Sequence, residues 1–364
     1  MQTHVTVLLA DPDQRANQSL QKIFAQRGWK TVTATSLPET QSVAADLKPD
    51  AILLSALPTA DQALQLITRL RSSIWTANLP IVVLGKSSPA DRETFLQGGA
   101  QDYLGAPFDS KGLCDSVLRQ IEKPLIVASA PENVLQDAIR LSALKATGLL
   151  DSPPERSFDR LAQLVSKLLG APTALLSLVD SNRQFFKGHV GLSEALASAR
   201  ETPLSHSFCQ WAVSGREQIV VADAREHPVL KNNLAIQDMG VVAYAGLPVS
   251  NGQGQALGSL CAIDAKPRTW SANEIAILGD LTKLAESCIA QAELAHHPPK
   301  NAYGYDRFVE TSGEAISAAI RILQKRPASL DAPVQDMLLQ MIDEYGVQLV
   351  QLNRMIQVVK ALQA

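Results

Sequence analysis

The most reactive side chains in this sequence are four cysteines that stand far apart along the chain: Cys114, Cys209, Cys261 and Cys288. They form no CxxC pair and show no spacing typical of metal ligands, so we expect reduced thiols and no metal site. Cys209 and Cys261 could form a redox pair if the fold brings them together. The alternative is that each is a small buried hydrophobic residue.

His206 and a set of aromatic residues offer a second kind of chemistry. A histidine in "SHSFCQWAV" could bind haem or a metal ion, but no second histidine stands at a ligand spacing from it. A lone histidine is more often hydrogen-bonded in a core or at its rim. The aromatic residues could line a ligand pocket or could simply pack as core; they are Phe185, Phe186, Phe208, Trp211 and Tyr244.

Short apolar runs alternate with helical patterns over the first 123 residues. The strand candidates are Val5–Ala10, Ala51–Ala56, Leu79–Gly85 and Asp102–Leu104, and the helical patterns include Asp13–Arg27, Gln62–Arg71 and Lys111–Ile121. This alternation predicts a doubly wound α/β domain with a parallel sheet. A site in such a sheet lies at the carboxyl ends of the strands, here near Asp11, Ser55, Gly85 and Ala106.

Four motifs in this first domain resemble the successive signatures of the response-regulator receiver family: "VLLADPDQ", "KPDAILLSALP", "LPIVVLG" and "GAQDYLGAPFD". The resemblance covers about residues 5–122 and implies a five-stranded fold. In that family, acidic residues after the first strand hold Mg²⁺, and an aspartate after the third strand takes a phosphoryl group. A hydroxyl residue and a lysine bind the phosphate. Such transfer needs a nucleophilic carboxylate and cations that neutralise the phosphoryl oxygens.

This sequence departs from the family pattern at three positions of that site. Ser55 stands at the acceptor position, Gly85 at the hydroxyl position and Ala106 at the lysine position. Because nucleophile, hydroxyl and cation are all missing, we interpret residues 1–123 as a phosphorylation-incompetent pseudo-receiver that serves as an interaction surface. We expect no Mg²⁺ at this degenerate site.

Three further residues of the degenerate site follow from the same comparison. Asp11 matches the first acidic position and Asp13 follows it after Pro12; we interpret them as a strand-end turn and a helix N-cap. Tyr103 matches the family's switch aromatic. With no threonine partner at Gly85, we expect Tyr103 to be a fixed surface aromatic rather than a moving one.

A proline-containing linker, residues 124–139, precedes a second domain, residues 140–295. Helical patterns at Ser157–Gly170 and Ser271–Ala295 enclose several strand candidates, and Asn251-Gly252 is a hairpin-turn signal between the last two of them. The strand candidates are Pro172–Asp180, Arg183–Val190, Gln218–Asp223, Val242–Ser250 and Ala256–Asp264. The pattern predicts an α+β domain with an antiparallel sheet.

The second domain is similar to GAF sensor domains. The motifs "ETPLSHSFCQWAV", "VVADAREHP", "YAGLPV" and "LGSLCAID" follow the order of that family over about residues 140–292. The resemblance implies a binding module whose ligand is unassigned. The candidate pocket residues are Phe185, Phe186, His206, Phe208, Cys209, Trp211, Tyr244 and Cys261.

Residues 303–364 predict two C-terminal helices, Asp306–Lys325 and Ala332–Leu362. Apolar residues recur at spacings of four and three in the second one, which is typical of a helix that packs along a partner helix. These seam residues are Leu338, Ile342, Tyr345, Leu349, Leu352, Ile356 and Val359. We expect this helical hairpin to form a homodimer; the alternative is that it folds back on its own chain. The region contains no histidine, so it lacks the phosphoacceptor of a histidine kinase.

Composition limits the class of protein. The formal net charge is −3 and the isoelectric point about 6.1, which gives no basic footprint for nucleic acid. No apolar run is long enough to span a membrane, and the N-terminus lacks a cationic leader, so we expect a cytoplasmic protein. The interpretation is a non-enzymatic two-component regulator that contacts a histidine kinase or another regulator. The alternatives are a phosphorelay regulator with an atypically modified receiver and an unrecognised phosphatase or redox enzyme.

Overall fold

The 364-residue chain divides into two compact units, Met1–Pro131 and Glu132–Ala364, in a computed structural model. The structure describes residues 5–56, 59–123, 125–127, 129–299, 302–325 and 332–363. Across these residues, no helix has both the length and the apolar character needed to cross a bilayer. The division between the units lies inside the segment 124–139 that was predicted as a linker.

A five-stranded parallel sheet forms the centre of the first unit, in the order β2-β1-β3-β4-β5. This is a common doubly wound order, and it confirms the predicted fold class. The sequence "KTVTA" of β2 has too few apolar residues to stand out as a strand, because β2 is a half-buried edge strand. The strands are β1 (Thr6–Ala10), β2 (Lys30–Ala34), β3 (Ala51–Ser55), β4 (Ile81–Lys86) and β5 (Asp102–Ala106).

Five helices flank this sheet, and a short polar side chain caps the N-terminus of each one. These side chains accept a backbone N–H of the first turn, which satisfies a donor that the helix itself leaves unpaired; they are Asp13, Ser36, Thr59, Ser88 and Asp109. Apolar clusters lie on both faces of the sheet. The helices are α1 (Gln14–Ala25), α2 (Leu37–Leu47), α3 (Ala60–Ser72), α4 (Pro89–Gln97) and α5 (Ser110–Glu122).

A six-stranded antiparallel sheet forms the centre of the second unit, in the order β8-β7-β6-β11-β10-β9. The hairpin predicted at Asn251 joins β10 to β11, and the Asn251 side chain accepts hydrogen bonds from the backbone of Gln253 and Gln255 within the turn. The strands are β6 (Thr173–Val179), β7 (Arg183–Val190), β8 (Glu201–Pro203), β9 (Ile219–Val221), β10 (Ala243–Ser250) and β11 (Ala256–Asp264).

Helices cover both faces of this second sheet. The first five are α6 (Glu132–Leu135), α7 (Ala138–Ala146), α8 (Arg156–Leu169), α9 (Glu194–Ala199) and α10 (Cys209–Gly215), and the others are α11 (Ala235–Met239), α12 (Ala272–His296), α13 (Asp306–Lys325) and α14 (Ala332–Gln363). A capping box between Ser271 and Glu274 begins α12. Helices α8 and α12 pack on one face, with α13 and α14 joining the same core, while α10 lies against β10 and β11 on the other face.

Candidate functional site

Three positions of the predicted degenerate site meet at one edge of the first sheet. Ser55 is the last residue of β3, Gly85 lies in β4 and Ala106 ends β5. The parallel register places Ser55 beside Leu84 and pairs Lys86 with Ala106, so these strand ends are neighbours. A receiver would present an acidic nucleophile, a hydroxyl and an ammonium group at these positions. Here the same positions carry the hydroxyl of Ser55, a glycine without a side chain at 85 and the methyl group of Ala106.

Asp11 and Asp13 are engaged in ending β1 and starting α1. The Asp11 carboxylate accepts a hydrogen bond from the backbone N–H of Asp13 at 2.8 Å, and Asp13 caps α1 by accepting the N–H of Arg15 at 2.8 Å. Asn17 donates its amide to the Asp11 carbonyl at 2.8 Å. The turn and the N-cap therefore lie where the sequence interpretation placed them.

Tyr103 is buried, which corrects the expectation of a surface aromatic. Its side chain is 3% exposed, its hydroxyl donates to the Lys86 carbonyl at 2.7 Å, and its ring stacks on Phe95 with centroids 5.6 Å apart. Burial raises the pKa of the phenol, and the negative charge of Asp91 adds to that rise. The physical reason for the inward position is Gly85, which leaves room that a threonine would fill.

An apolar cavity of about 580 Å³ opens at the same strand ends. Its walls come from one face of α1, from α4 and from the segment after β5, and Phe108 at its margin is 36% exposed. Three charged residues also line it, namely Asp11, Lys86 and Asp91. Lys86 and Asp91 were not among the predicted site residues, although both lie close to the strand ends near Gly85 and Ala106. The apolar lining includes Leu20, Ile23, Leu84, Phe95, Tyr103 and Phe108.

The second unit brings Cys209 and Cys261 together. Cys209 is the first residue of α10 and Cys261 lies in the middle of β11, and their sulfur atoms are 4.0 Å apart. Both side chains are buried and neither is in a disulfide. The proximity on which the redox alternative depended is therefore present.

Hydroxyl groups surround this thiol pair. The Tyr244 hydroxyl lies 3.4 Å from the Cys209 sulfur and 3.3 Å from the Ser259 hydroxyl. Gly246 makes room for Tyr244, because a Cβ built there would be 2.6 Å from Cζ of the tyrosine ring. The Ser177 hydroxyl is also fully buried, and it lies close enough to the Cys209 sulfur to lower the pKa of that thiol. The sequence analysis missed both serines; their signal was a polar residue inside each of the apolar runs "ALLSLVD" and "GSLCAID".

The two thiols differ in acidity because of these neighbours. The Cys261 thiol, the largest cause, and the hydroxyls of Tyr244, Ser177 and Ser259 can all donate to a Cys209 thiolate; they act against burial and lower the pKa of Cys209 to about 7. The interaction with Cys209 and burial raise the pKa of Cys261 well above its usual range. Burial does the same for the pKa of Tyr244. Cys209 is therefore the more acidic thiol of the pair.

The other predicted pocket residues do not all meet at this place. His206, Phe208, Cys209 and Tyr244 line a cavity of about 20 Å³, and Cys261 lies directly behind Cys209. His206 bonds to Asp238 at 2.9 Å and to Ser205 at 3.0 Å. Among the described residues, no group of three or more potential metal ligands occurs. The remaining three candidates are buried but lie outside the cavity lining: Phe185, Phe186 and Trp211.

Residues 153–289, which contain the thiol pair and its sheet, match the GAF domain family. This segment is a GAF domain. A stretch of 139 residues, 38% of the chain, is 33% identical to a cyclic di-GMP phosphodiesterase of Pseudomonas aeruginosa. The match spans only 23% of that protein.

Response regulators are similar to the N-terminal third of the chain. The response regulator MprA of Mycobacterium bovis is 28% identical over 179 residues, which are 49% of this chain and 73% of MprA. A solved two-component response regulator from Clostridium difficile is 22% identical, covers 33% of this chain and 97% of its own, and has a TM-score of 0.30. The order of the chain is thus a receiver-like unit followed by a GAF domain.

The C-terminal helices pack on the GAF core within one chain. Leu338 and Tyr345 are buried in the main apolar cluster, with Ile342 against it, while Leu352 and Ile356 bury in a second cluster near Phe308. Leu349 is half-buried, and the side chain of Val359 lies outside the described residues. Tyr345 donates to the Leu284 carbonyl at 3.1 Å and lies 3.3 Å from the Cys288 sulfur. The seam thus takes the folded-back arrangement, and dimerisation stays a prediction.

Proposed function

We propose that this chain is a signal-transduction regulator of the two-component type whose receiver-like unit takes no phosphoryl group and acts as an interaction surface. The observation that carries the proposal is the contact between Gly85 and Tyr103, together with Ser55 and Ala106 at the neighbouring strand ends. A phosphoryl group bound there would meet no carboxylate at position 55 and no ammonium group at position 106; the Lys86 side chain lines the cavity from β4. The apolar cavity and the exposed Phe108 offer instead a surface suited to an apolar group of a partner protein.

Incubation of the full-length protein with Mg²⁺ and acetyl phosphate tests this proposal. We expect no gain in mass, and no bound fluorine signal when beryllofluoride replaces acetyl phosphate. A matched control is the variant Ser55→Asp/Ala106→Lys, which supplies the acidic acceptor and the lysine and leaves Gly85, where a side chain would meet Tyr103, unchanged. Stoichiometric modification of Ser55, or beryllofluoride bound at Asp11 in the unmodified protein, would instead support the alternative of an atypically modified phosphorelay regulator.

The GAF domain is proposed to sense a small ligand or a partner and to pass its state to α13 and α14. The support is a shared core: residues of α12, α13 and α14 belong to the same apolar cluster as the sheet. Ligand binding to the folded state raises the melting temperature. A thermal-shift panel of nucleotides, bilins and metabolites on the purified protein should yield at least one such rise; a panel without any shift would count against small-ligand sensing.

The activity of the Pseudomonas relative is not part of this proposal. That protein is named a cyclic di-GMP phosphodiesterase, but the similarity spans only 23% of its length. We propose that the chain acts without catalysis, in the cytoplasm, on a histidine kinase or another regulator. Hydrolysis of cyclic di-GMP by the purified full chain would contradict this.

Homodimerisation is proposed to use the outer face of α14. Since the inner seam is occupied within the chain, a second copy would meet the apolar residues that remain exposed: Leu339, Val347, Val350 and Met355. Light scattering should give a dimer mass for the full chain and a monomer mass for Val347→Asp/Val350→Asp. The same mass for both proteins would rule out a dimer through this face.

A further inference from the structure

We propose that Cys209 and Cys261 are a peroxide-responsive dithiol, which closes to an intramolecular disulfide inside the GAF domain. This inference goes beyond the proposed function, because disulfide formation does not depend on the state of the receiver-like unit. It rests on the distance between the two sulfur atoms, on the hydroxyl groups around them, and on the size of the cavity beside Cys209.

The geometry requires only a short movement of the two side chains. The sulfur atoms are 4.0 Å apart, which is van der Waals contact. A disulfide bond length of about 2.0 Å requires them to approach by about 2 Å. Cys261 is fixed in a central strand between β6 and β10, and Cys209 begins α10, whose first turn is held by the Ser207 hydroxyl, which accepts the N–H of Gln210 at 3.1 Å. Rotation of the two cysteine side chains, rather than movement of the backbone, therefore has to close the gap.

The hydrogen-bond donors around Cys209 favour its thiolate, so we expect Cys209 to react with the oxidant before Cys261 does. The Tyr244 hydroxyl at 3.4 Å and the Cys261 thiol at 4.0 Å both lie within hydrogen-bond reach of the Cys209 sulfur. A thiolate at Cys209 is thus stabilised although the site is buried, and the thiolate is the form that attacks an oxidant. The hydroxyls of Ser177 and Ser259, which lie opposite each other on β6 and β11, are two further buried donors that lower the pKa of Cys209.

The cavity limits the oxidant to a molecule about the size of water. Its volume is about 20 Å³, and Cys209 and Tyr244 both line it. A buried site needs roughly 10–15 Å³ to hold one water molecule. Hydrogen peroxide is a compact oxidant of similar width, whereas a peptide disulfide such as oxidised glutathione is far larger than this space. The geometry therefore favours peroxide as the oxidant.

The proposed reaction balances with hydrogen peroxide as the only added reagent. The Cys209 thiolate attacks one peroxide oxygen, an S–O bond forms, the O–O bond breaks, and the leaving hydroxide takes a proton to become water. The Cys261 sulfur, losing its proton, then attacks the Cys209 sulfenic acid; an S–S bond forms, the S–O bond breaks and a second water leaves. Two thiols are oxidised by two electrons in total, and one peroxide is reduced to two waters.

The other two cysteines provide an internal comparison. Cys288 is also buried beside a tyrosine hydroxyl, at 3.3 Å from Tyr345, but burial raises its pKa to about 11. Cys114 is buried in the receiver-like unit, and burial also raises its pKa. Of the four cysteines, all among the described residues, Cys209 and Cys261 are the pair with sulfur atoms 4.0 Å apart. All four cysteines are buried, so burial does not distinguish Cys209 and Cys261 from the other two. What distinguishes them is that their sulfur atoms are in contact.

Thiol counting on the full-length protein tests the proposal. Reduced protein is treated with hydrogen peroxide, then denatured in N-ethylmaleimide, and the intact mass and linked peptides are measured. We expect four adducts before treatment and two after it, with one linked peptide pair containing Cys209 and Cys261, reversed by a phosphine reductant. The variant Cys288→Ser should behave like the unmodified protein. Cys209→Ser should keep its three thiols, and Cys261→Ser should accumulate a sulfenic acid at Cys209 that dimedone labels when it is present during denaturation.

Two outcomes would overturn the inference. One is four adducts after peroxide treatment of the folded protein, which would show that the pair does not oxidise. The other is a linked peptide pair that contains Cys114 or Cys288, which would place the reactive thiols elsewhere. Both readouts come from the unmodified chain, so the test stands even if a serine variant fails to fold.

Discussion

The Tyr103 ring fills the space that a side chain at Gly85 would need. A Cβ built on Gly85 would lie 2.7 Å from Cζ and 2.9 Å from Cε2 of Tyr103, closer than real Cβ atoms approach. The two residues lie on neighbouring strands, and the tyrosine hydroxyl continues past the glycine to bond the Lys86 carbonyl at 2.7 Å. The inward tyrosine and the missing hydroxyl side chain are therefore one structural feature rather than two separate losses.

A side chain at position 85 should destabilise the receiver-like unit. We expect Gly85→Thr to lower its free energy of unfolding by about 1–3 kcal/mol, because overpacking in a filled core forces neighbours out of their rotamers. Urea unfolding followed by circular dichroism measures this. In a Tyr103→Ala background the same substitution should cost less, because the clashing ring is absent. Equal costs in both backgrounds would show that the tyrosine is not the obstacle.

Arg71 should be a main support of the same unit. Its buried guanidinium donates to the carbonyls of Ala77 and Leu79 at 2.9 Å and of Gly99 at 3.0 Å, and desolvation lowers its pKa to about 10. The group therefore stays charged at neutral pH. We expect Arg71→Met to destabilise the unit by about 3 kcal/mol, because it leaves buried carbonyls without donors.

A matched control for that substitution lies two residues earlier on α3. Arg69 is exposed, so Arg69→Met should change the free energy of unfolding by less than about 0.5 kcal/mol. Denaturant midpoints of the two variants, measured side by side, make the comparison. Similar midpoints would mean that the hydrogen bonds of Arg71 add little.

The positions of most residues of the degenerate site could be predicted from the sequence, because these residues lie at the ends of strands. The apolar runs placed Ser55, Gly85 and Ala106 at the same edge, since parallel strands present their carboxyl ends together. The orientation of Tyr103 could not be predicted in this way. It depends on how a side chain of β5 uses the space left by a glycine on β4, which the separate patterns of two strands do not contain.

The thiol pair and the seam of α14 show two further limits of predicting structure from this sequence. Cys209 and Cys261 are 52 residues apart, and their proximity depends on where α10 lies against β11. The seam spacing did predict a packed face of α14, since Leu338 and Tyr345 are buried. A periodic apolar face does not identify its partner, however, and the structure provides that partner in α12, α13 and α8 of the same chain.

Adjacent leucines of α14 should separate core packing from the exposed face. Leu338 is fully buried and Leu339 is 50% exposed. We expect Leu338→Ala to lower the free energy of unfolding of the second unit by about 2–5 kcal/mol, through lost burial and a cavity. Leu339→Ala should change it by less than about 0.5 kcal/mol. Thermal or urea unfolding of the full chain compares them; equal losses would contradict the packing of α14 on the GAF core.

The reactivity of Cys209 should follow its ionisation. Because the pKa of Cys209 is lowered to about 7, the thiol form dominates below that pH and the reactive thiolate above it. The rate of peroxide oxidation should therefore rise about tenfold between about pH 6 and pH 8 and then level off. The titratable groups beside this sulfur are Cys261, Tyr244 and His206. Stopped-flow measurements of sulfenic acid and disulfide formation give the profile.

Removal of the Cys261 thiol should shift the pH profile of Cys209 oxidation to higher pH. The Cys261 thiol is the largest cause of the lowered pKa of Cys209, so Cys261→Ala should raise this pKa and shift the midpoint of sulfenic acid formation to higher pH. Cys288→Ala is the matched control, since the Cys288 sulfur, on α12, lies beside Tyr345 of α14; this substitution should leave the midpoint unchanged. An unshifted midpoint in Cys261→Ala would contradict this and would mean that the acidity of Cys209 comes from the hydroxyls of Tyr244, Ser177 and Ser259; Tyr244→Phe would then shift the midpoint.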